Sequence, residues 1–528
     1  MSSCLAGFRL SHKLARTLTI KRTHTDPGHS SKRQMTNMAK IVLTETETEI
    51  CTLLNRVADH IRATTNEQLT LRIAGGWVRD KLLGLASHDI DIAVDHMSGF
   101  TLAQHVTSYM QLHSIATSSV GKINSNPSRS KHLETATTKV LGQFVDFVHL
   151  RSETYEEDSR IPQIEFGTPE EDARRRDITI NALFYNLRTR EVEDFTGRGL
   201  KDLEEGVVRT PMDAEQTFKD DPLRVLRVLR FASRFGYEIE KETARAMERE
   251  VVRSELERKI SRERVGVEVE KMAEGERPVL AIQLILKFGL YECVFRAPSR
   301  ETWTDDVDVD AMAAESFTRC TLKMLDEASL HALIPSQYSV TLHDRRILIL
   351  ASYVYPFHAA VAADRKRNAS VALLVVRDGL KLPTNDADSI AAVHMLVPRI
   401  TAMAALCCAG PVERNTLGHL IRDAGARWIV ATVFAAAVQL HKGVSTDQVV
   451  ATFSAFIRAV KEAELEDAFK LKHIVNGRDV ATLLGCRTGP GIKPVLDRIM
   501  DWQLAHPRGT HDECREFIIE EIAPHMPL

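Results

Sequence analysis

The chain has 528 residues, beyond the ~250–300 at which a single hydrophobic core stops growing, so several modules are expected. Its 44% hydrophobic and 27% charged residues are typical of an ordinary soluble globular protein. A net charge of -3 does not indicate a nucleic-acid partner, so any such site must be a local basic patch. The eight cysteines include no CxxC pair, which argues against a disulfide framework or a zinc site, and no apolar run approaches the roughly 18 residues of a transmembrane helix.

The first 38 residues differ from the rest of the chain. They are rich in arginine, lysine and serine, with Asp26 as their only acid. This composition predicts an organellar transit peptide, and the alternative is a disordered basic tail. Met35 and Met38 could start a second product that lacks the leader, which would give one gene two destinations.

Residues 39–190 alternate between helical and extended patterns. The periodicity predicts helices over 46–64 and 103–113, and strands over 70–74, 90–94, 139–141, 144–150 and 178–185. Residues 121–139 are polar with turn formers at their start, which predicts a mobile loop. After residue 201 nearly every long segment has a helical period. The sequence therefore predicts an α+β head, a mixed sheet with helices, on a long all-α body.

Two aspartates stand one residue apart beside a Gly-Gly pair. Asp89 and Asp91 share one face of a strand, where they repel each other unless a cation lies between them. The alternative is an edge strand with a solvated acidic face. Gly75 and Gly76 open a helical segment whose backbone N–H groups can meet an anion, with Arg79 one turn further on. A phosphate site beside paired carboxylates is what Mg²⁺-dependent nucleotidyl transfer requires.

These segments resemble the class II CCA-adding enzymes and bacterial poly(A) polymerases, which are polymerase-beta-like nucleotidyltransferases. The resemblance begins with Gly-Gly-x-Val-Arg-Asp at 75–80 and Asp-x-Asp at 89–91. Further motifs follow in the family's order: RRDITINALFYN (175–186), DFTGRGLKDL (194–203), DDPLRVLRVLRFASRFGY (220–237) and ERVGVEVEKM (263–272). The segments 126–140 and 476–507 are most similar to eukaryotic CCA-adding enzymes.

The resemblance implies a role for each matching residue. Asp89 and Asp91 would hold Mg²⁺ and act in catalysis. The implied nucleotide-binding residues are Gly75, Gly76, Arg79, Arg176, Asp177, Asp221, Arg224, Arg227 and Arg230. Among them, Asp177 would hold the ribose 2′-hydroxyl, whereas Asp221 and Arg224 would read the Watson–Crick edge of the incoming base.

The segment 222–235 predicts a helix with arginines on one side and apolar residues on the other. The basic side holds Arg224, Arg227, Arg230 and Arg234. The helix itself supplies no acidic i,i+4 partner for the later arginines, which favours contact with a triphosphate or an RNA backbone over a solvated basic face.

The roles of three acidic residues are open to more than one interpretation. Asp221 precedes Pro222 and could simply cap the helix instead of reading a base. Asp220 stands where the family commonly has glutamate. Asp146 is a lone acid in an apolar strand and a candidate third metal carboxylate.

The implied activity is template-independent addition of the 3′-terminal CCA to tRNA from CTP and ATP, with release of pyrophosphate. A poly(A) polymerase or a partial CC- or A-adding enzyme is the alternative, and an RNA-binding protein with an inactive head would be expected to lack Asp89 or Asp91. The implied partner is tRNA, through its acceptor and TΨC arms, with no membrane. Mitochondrial and cytoplasmic locations are expected, with the nucleus as a further candidate.

The domain boundaries follow from the same patterns. The expected units are a leader (1–38), a nucleotidyltransferase head (39–190), a helical neck with the nucleotide-selecting motif (191–275), a helical body (276–460) and a tRNA-binding helical tail (461–528).

Overall fold

The computed structural model describes residues 41–87, 89–123, 135–155, 162–326, 333–334, 338, 340–364, 367–487 and 489–525. The predicted leader (1–38) and most of the predicted loop (124–134) lie outside the described residues.

The first part of the described chain mixes helices and strands. Its helices are α1 (Glu45–Thr65), α2 (Gly76–Leu82), α3 (Gly99–Leu112) and α4 (Pro169–Arg174). Its strands are β1 (Leu71–Ala74), β2 (Ile90–Val94), β3 (Gly121–Ile123), β4 (Thr135–Val140), β5 (Gln143–His149), β6 (Arg151–Thr154), β7 (Gln163–Phe166), β8 (Phe184–Asn186) and β9 (Val192–Glu193). Seven strands form one sheet in the order β3-β4-β5-β2-β1-β8-β9, in which only β2 and β5 run parallel. The strands β6 and β7 form a separate hairpin.

The two faces of the large sheet have different environments. Ile90, Ile92 and Val94 of β2 belong to the main hydrophobic core, which also contains the apolar sides of α1 and α3. Ala93 faces the other way and joins a small cluster with Ala74, Leu150, Ala173, Ala182 and Phe184. The predicted alternation along β2 is therefore confirmed, and it leaves Asp91 on the face opposite the main core.

The predicted strand over 178–185 is wrong. Thr179–Asn181 form a 3₁₀ turn, and the strand β8 begins only at Phe184. The turn is held by buried side chains, because the Asn181 amide donates to Asp177 and the Thr179 hydroxyl donates to Asp202. In the sequence, Thr179 and Asn181 alternate with apolar residues, and this period of two is the same as that of a strand.

After β9 the described chain is largely helical, as expected. The helices are α5 (Gly199–Glu205), α6 (Ala214–Asp220), α7 (Leu223–Phe235), α8 (Lys241–Met247), α9 (Glu250–Lys259), α10 (Arg262–Glu274), α11 (Pro278–Lys287), α12 (Tyr291–Val294), α13 (Ala313–Asp326), α14 (Leu342–Tyr353), α15 (Val371–Leu374), α16 (Thr384–Ala409), α17 (Arg414–Ala424), α18 (Trp428–His441), α19 (Thr446–Glu462), α20 (Gly477–Leu483), α21 (Lys493–Ala505) and α22 (His511–Phe517). The short strands β10 (Val207–Val208) and β11 (Glu238–Ile239) pair in parallel, whereas β12 (Val361–Asp364) and β13 (Arg367–Ser370) pair antiparallel.

One helix of the described residues, α16, is long and apolar enough to cross a membrane by length and composition alone. The expectation that no run approaches this size is therefore wrong. The helix packs against α14, α18 and α19, and its residues Ile390, Val393 and Ile400 are fully buried in the main core. A long apolar helix in the core of a large protein has the same composition.

Candidate functional site

A cavity of about 860 Å³ lies between the sheet and the helices α7 and α10. All but one of the predicted site residues line it: Gly75, Gly76, Arg79, Asp91, Arg176, Asp177, Asp221, Arg224, Arg227 and Arg230. The exception is Asp89, which is exposed immediately before β2. Residues that are up to 155 positions apart in sequence therefore meet in one place.

Two carboxylates face each other across neighbouring strands on one wall of the cavity. Asp91 of β2 and Asp146 of β5 are register partners, and both line the cavity. Burial raises the pKa of Asp91 to about 6, the negative charges of Asp146 and Asp89 add to the rise, and Arg176 opposes it. Asp146 accepts a hydrogen bond of 2.5 Å from the Thr137 hydroxyl.

This carboxylate pair suits a hard cation. Among the described residues, no lysine or arginine forms an ion pair with Asp91 or Asp146, although the more distant charge of Arg176 acts on Asp91. Nor do the described residues contain a group of three or more His, Cys, Asp or Glu side chains placed to hold a metal ion. Mg²⁺ characteristically binds through one or two carboxylates and completes its coordination with water and substrate phosphates. The donor set fits such an ion better than a metal enclosed by protein.

The Gly-Gly pair brings the backbone close to the cavity. Gly75 has φ +75°, which favours glycine, and a Cβ added there would lie 2.8 Å from Nη1 of Arg176. The helix α2 begins at Gly76, as predicted. Arg79 is buried one turn later, where its guanidinium bonds Asp80 and Asn181 and lies about 5 Å from the centroids of the Phe231 and Phe235 rings.

Asp177 lines the cavity and is held there as a carboxylate. Burial alone would raise its pKa, but Arg227 and the Asn181 amide stabilise the ionised form and lower the pKa to about 2. An oxygen of Asp177 lies 2.7 Å from Nε of Arg227. The neighbouring Arg176 is oriented in turn by two hydrogen bonds of 2.8 and 3.0 Å to Asp172.

The arginines of α7 have acidic partners, contrary to the inference drawn from that helix alone. Nε of Arg230 donates to Glu268 of α10 at 2.5 Å, and Arg234 lies 3.4 Å from Asp80 of α2. Arg227 contacts Asp177 and lies 3.7 Å from Glu268. These acids come from other elements, so no i,i+4 rule within α7 could reveal them. The predicted apolar side is confirmed, because Val225, Leu226, Leu229 and Ala232 are fully buried.

Asp221 and Arg224 each have a separate partner. The Asp221 carboxylate accepts from Arg264 of α10 at 2.7 and 3.3 Å, and it also accepts from the Leu223 backbone N–H at 3.2 Å. Nη2 of Arg224 donates to the Arg175 carbonyl at 2.6 Å, and the guanidinium lies 3.8 Å from Glu153. Asp221 therefore makes a local contact at the start of α7 and an ion pair into the cavity at the same time.

Comparisons with known proteins identify the family. The chain is 38% identical over 520 residues to the mitochondrial CCA tRNA nucleotidyltransferase of Candida glabrata, covering 92% of this chain and 97% of that protein. It is 39% identical over 511 residues to the mitochondrial CCA tRNA nucleotidyltransferase of Saccharomyces cerevisiae, covering 90% of this chain and 93% of that protein. The chain belongs to the CCA tRNA nucleotidyltransferases. As members of the polymerase-beta-like nucleotidyltransferases, these enzymes typically use a divalent metal ion.

Domain and structure comparisons agree with this family. The Poly A polymerase head domain matches residues 71–209, and the domain described as "Probable RNA and SrmB- binding site of polymerase A" matches residues 236–301. The CCA-adding enzyme of Bacillus stearothermophilus in complex with CTP has the same fold, with a TM-score of 0.60 at 19% identity over 90% of this chain and 98% of that chain. Similar folds were also solved with ATP and with tRNA. The predicted fold, a mixed head followed by a helical region, is confirmed.

Several residues of the nucleotidyltransferase cavity were missed by sequence reasoning. Arg264 and Glu268 lie within the motif ERVGVEVEKM, and their i,i+4 spacing on one helix face beside two arginines of another motif could have revealed them. Glu153 and Tyr155 contact Arg224 from the hairpin β6–β7 and the residue after β6. Nothing in the local sequence distinguishes these two from surface residues.

Proposed function

We propose that this chain adds the 3′-terminal CCA to tRNA from CTP and ATP, releasing pyrophosphate, and that the cavity between the sheet and α7 binds the incoming nucleotide. The observation that carries the proposal is that one wall of the cavity presents carboxylates and another wall presents arginines. One wall presents Asp91 and Asp146, which form no ion pair with any described lysine or arginine, and the other presents Asp221 and the arginines of α7. A nucleoside triphosphate that brings a divalent cation complements both walls.

The carboxylate wall is assigned to the metal and the reacting groups. Asp89 and Asp91 would hold Mg²⁺, with Asp146 as a further candidate ligand because it is the register partner of Asp91. When bound, Mg²⁺ supplies charge neutralisation at the triphosphate and lowers the pKa of the primer 3′-hydroxyl. The raised pKa of Asp91 supports this assignment, since a bound cation would offset both the burial and the repulsion from Asp146 that favour the protonated form.

The phosphates and the ribose are assigned to groups around Asp177. Gly75 and Gly76 allow close approach of the backbone, whereas Arg79 and Arg176 are fixed by acidic or amide partners before any nucleotide arrives. The Asp177 carboxylate can accept from a ribose 2′-hydroxyl in addition to Arg227, because a carboxylate has about four acceptor positions. Ribonucleotides would be preferred for this reason.

Base selection is assigned to Asp221 and Arg224. The carboxylate accepts from the exocyclic amino group of cytosine or adenine, and the guanidinium donates to the adjacent ring acceptor. Uracil would place a carbonyl oxygen against the carboxylate, and a buried polar group left unpaired costs ~1–3 kcal/mol. The Arg264 ion pair supports the assignment because it orients the carboxylate and still leaves acceptor positions free.

The tRNA partner is assigned to the helical regions. The body and tail would recognise the acceptor and TΨC arms through shape and phosphate contacts, which is how proteins commonly bind double-stranded RNA. Two relatives that share about nine tenths of this chain, those of Candida glabrata and Saccharomyces cerevisiae, are named mitochondrial. We therefore assign one product to mitochondria and propose cytoplasmic and nuclear locations for a product without the leader. Mapping the N-termini of the native protein in each cell fraction tests this.

The central experiment incubates the purified chain with tRNA that ends at the discriminator base, with CTP, ATP or both, and sequences the 3′ ends. We expect two C residues with CTP alone and a complete CCA with both nucleotides. A long run of A residues would favour a poly(A) polymerase, and products that stop at CC or need a preformed CC end would favour a partial enzyme. The same assay with Mg²⁺ removed by a chelator should give no addition.

A further inference from the structure

The sheet face that carries Asp91 and Asp146 continues beyond the cavity. In the register of β4 and β5, Thr137 pairs with Asp146 and Lys139 pairs with Phe144. Because side chains two residues apart share a face, Phe144 and Lys139 lie on the same face as Asp146. Asp89 precedes Ile90, whose register partner is Val145, so Asp89 and Phe144 occupy corresponding positions one step earlier on their strands.

Phe144 is an exposed aromatic residue at the start of β5, next to the turn that joins β4 to β5. It is 63% exposed, and the Lys139 ammonium lies 4.8 Å from the centroid of its ring. The opposite side of the same strands is fully buried through Val140, Val145 and Phe147. An exposed ring with a cation at its face presents both a stacking surface and a positive charge.

The position of this ring relative to the cavity limits what could cover it. The cavity lining includes Asp91, Asp146 and Val148 from this face, and Phe144 and Lys139 lie beyond it on the other side of the carboxylates. In a nucleotidyl transfer the attacking hydroxyl and the departing pyrophosphate are roughly in line on opposite sides of the reacting phosphorus. With the triphosphate in the cavity, the primer must therefore approach the carboxylates from the side opposite the cavity, where Phe144 and Lys139 lie.

We propose that Phe144 is a stacking platform for the 3′-terminal base of the tRNA primer, with Lys139 contributing its charge to the adjacent RNA backbone. The inference rests on the proposed function and adds a primer-binding residue to it. Two residues along a strand span ~7 Å, which places the ring one side chain beyond the catalytic carboxylates. Stacking tolerates every base. That property suits an enzyme whose primer ends in the discriminator base, then in C, and then in a second C.

The test compares the effect of each substitution on the steady-state KM for tRNA with its effect on the KM for CTP and ATP. Loss of one base stack corresponds to about five- to a hundredfold in affinity, so Phe144→Ala should raise KM for tRNA at least about fivefold. KM for CTP and for ATP should stay within about twofold, because the cavity is unchanged. Phe144→Trp keeps an aromatic ring and should have the same KM for tRNA as the wild-type protein. Leu112→Ala removes another exposed apolar side chain, at the end of α3 on the other side of the sheet, and should change neither KM.

A fluorescent primer gives a direct second measurement. A tRNA with 2-aminopurine at its 3′ end should be quenched on binding the wild-type protein and the Phe144→Trp variant in the absence of CTP. Phe144→Leu keeps an apolar side chain without a ring, so it should fold normally, bind more weakly and quench less. The three primer ends, from the discriminator base to CC, should be affected to a similar degree.

Two results would overturn the platform. One is an unchanged KM for tRNA together with unchanged quenching in Phe144→Ala and Phe144→Leu. The other is an equal rise in KM for tRNA and for CTP, which would indicate a general disturbance of the head. Failure of the proposed function has a different signature, because the wild-type protein itself would then add no CCA to tRNA.

Discussion

Both walls of the cavity carry clustered like charges, but the arginines of one wall are paired with acids and the carboxylates of the other wall lie next to each other. The arginines of α7 have no acidic partner within their own helix. They form ion pairs with Asp177, Glu268 and Asp80, which lie in three other parts of the chain. On the sheet, Asp91 receives another acid, Asp146, as its register partner. A cluster of like charges in a sequence therefore indicates a site only after the partners from other elements are known. Here the charge that lacks a described protein partner is negative.

This comparison predicts opposite effects for the two kinds of acid. Removing an acid from the arginine wall should leave a buried cation uncompensated, whereas removing one from the carboxylate wall should relieve repulsion. The carboxylate wall should be needed for catalysis and unfavourable for stability, and the arginine wall should stabilise the fold.

The largest effect is expected for catalysis by the carboxylate wall. Asp91→Asn should reduce incorporation of both CTP and ATP at least about a thousandfold, since a metal ion contributes several kcal/mol to the transition state. Asp89→Asn should reduce both as well. Affinity for tRNA, measured by filter binding, should remain nearly intact because basic surfaces provide it. Loss of one nucleotide with retention of the other would show that these acids are not a shared metal site.

The next effect concerns the stability of the arginine wall. Asp177→Asn should lower the free energy of unfolding at pH 7 by about 2 kcal/mol, because it removes the buried carboxylate that pairs with the half-buried Arg227. The folded-state pKa of Asp177 is depressed to about 2 from the ordinary 3.8, so its stabilisation is present above 3.8 and is lost as the pH falls toward 2. Denaturant titrations at several pH values should show the difference between variant and wild type shrinking below pH 4. Equal stability at pH 7 would contradict it.

For Asp91, with metal removed by a chelator, we expect the substitution to raise the free energy of unfolding instead of lowering it. Its folded-state pKa is raised from the ordinary 3.8 to about 6, so folding loses stability as the pH rises from 3.8 to about 6, and the full loss is present above 6. Asp91→Asn should therefore unfold like the wild type below pH 4 and be more stable by about 2–3 kcal/mol at pH 8. Asp95→Asn, at the residue immediately after the same strand, is the control, because Asp95 accepts from the Thr70 backbone N–H and lies near Arg72. A variant destabilised at pH 8 would mean that the acid pair is not repulsive.

Particular residues show how far the sequence alone could lead. The motif spacing located the cavity residues because motifs preserve chemistry, and the period of two along β2 placed Asp91 on the correct face. Glu153 could not be found, because it reaches Arg224 from a separate hairpin and no local pattern reports that contact. The Asn181 turn was mistaken for strand because its backbone conformation is fixed by the buried Asp177 carboxylate. Long-range side-chain partners, more than element types, are what sequence reasoning missed.

The smallest and most specific effect concerns Asp221 and Arg264. If Asp221 serves only as a structural contact at the start of α7, Asp221→Asn keeps a good capping side chain but removes the charge that pairs with Arg264, so it should lower the free energy of unfolding by about 1 kcal/mol or less, with fidelity unaltered. If it reads the base, the same change adds a donor where uracil presents an acceptor, so misincorporation of UTP should rise while use of CTP and ATP falls.

The ion pair to Arg264 sharpens this test. Arg264→Gln keeps the carboxylate but removes its main orienting partner, so kcat/KM for CTP and ATP should fall about five- to tenfold, the equivalent of ~1 kcal/mol or slightly more. The repulsion toward uracil stays, so UTP should remain excluded, and Arg264→Lys should recover part of the loss. Lys271→Gln, an exposed change on the same helix, should be neutral. An Asp221→Asn variant that adds C and A normally and still rejects UTP would leave Asp221 as a cap, and the Arg264 pair would then serve only to join α10 to α7.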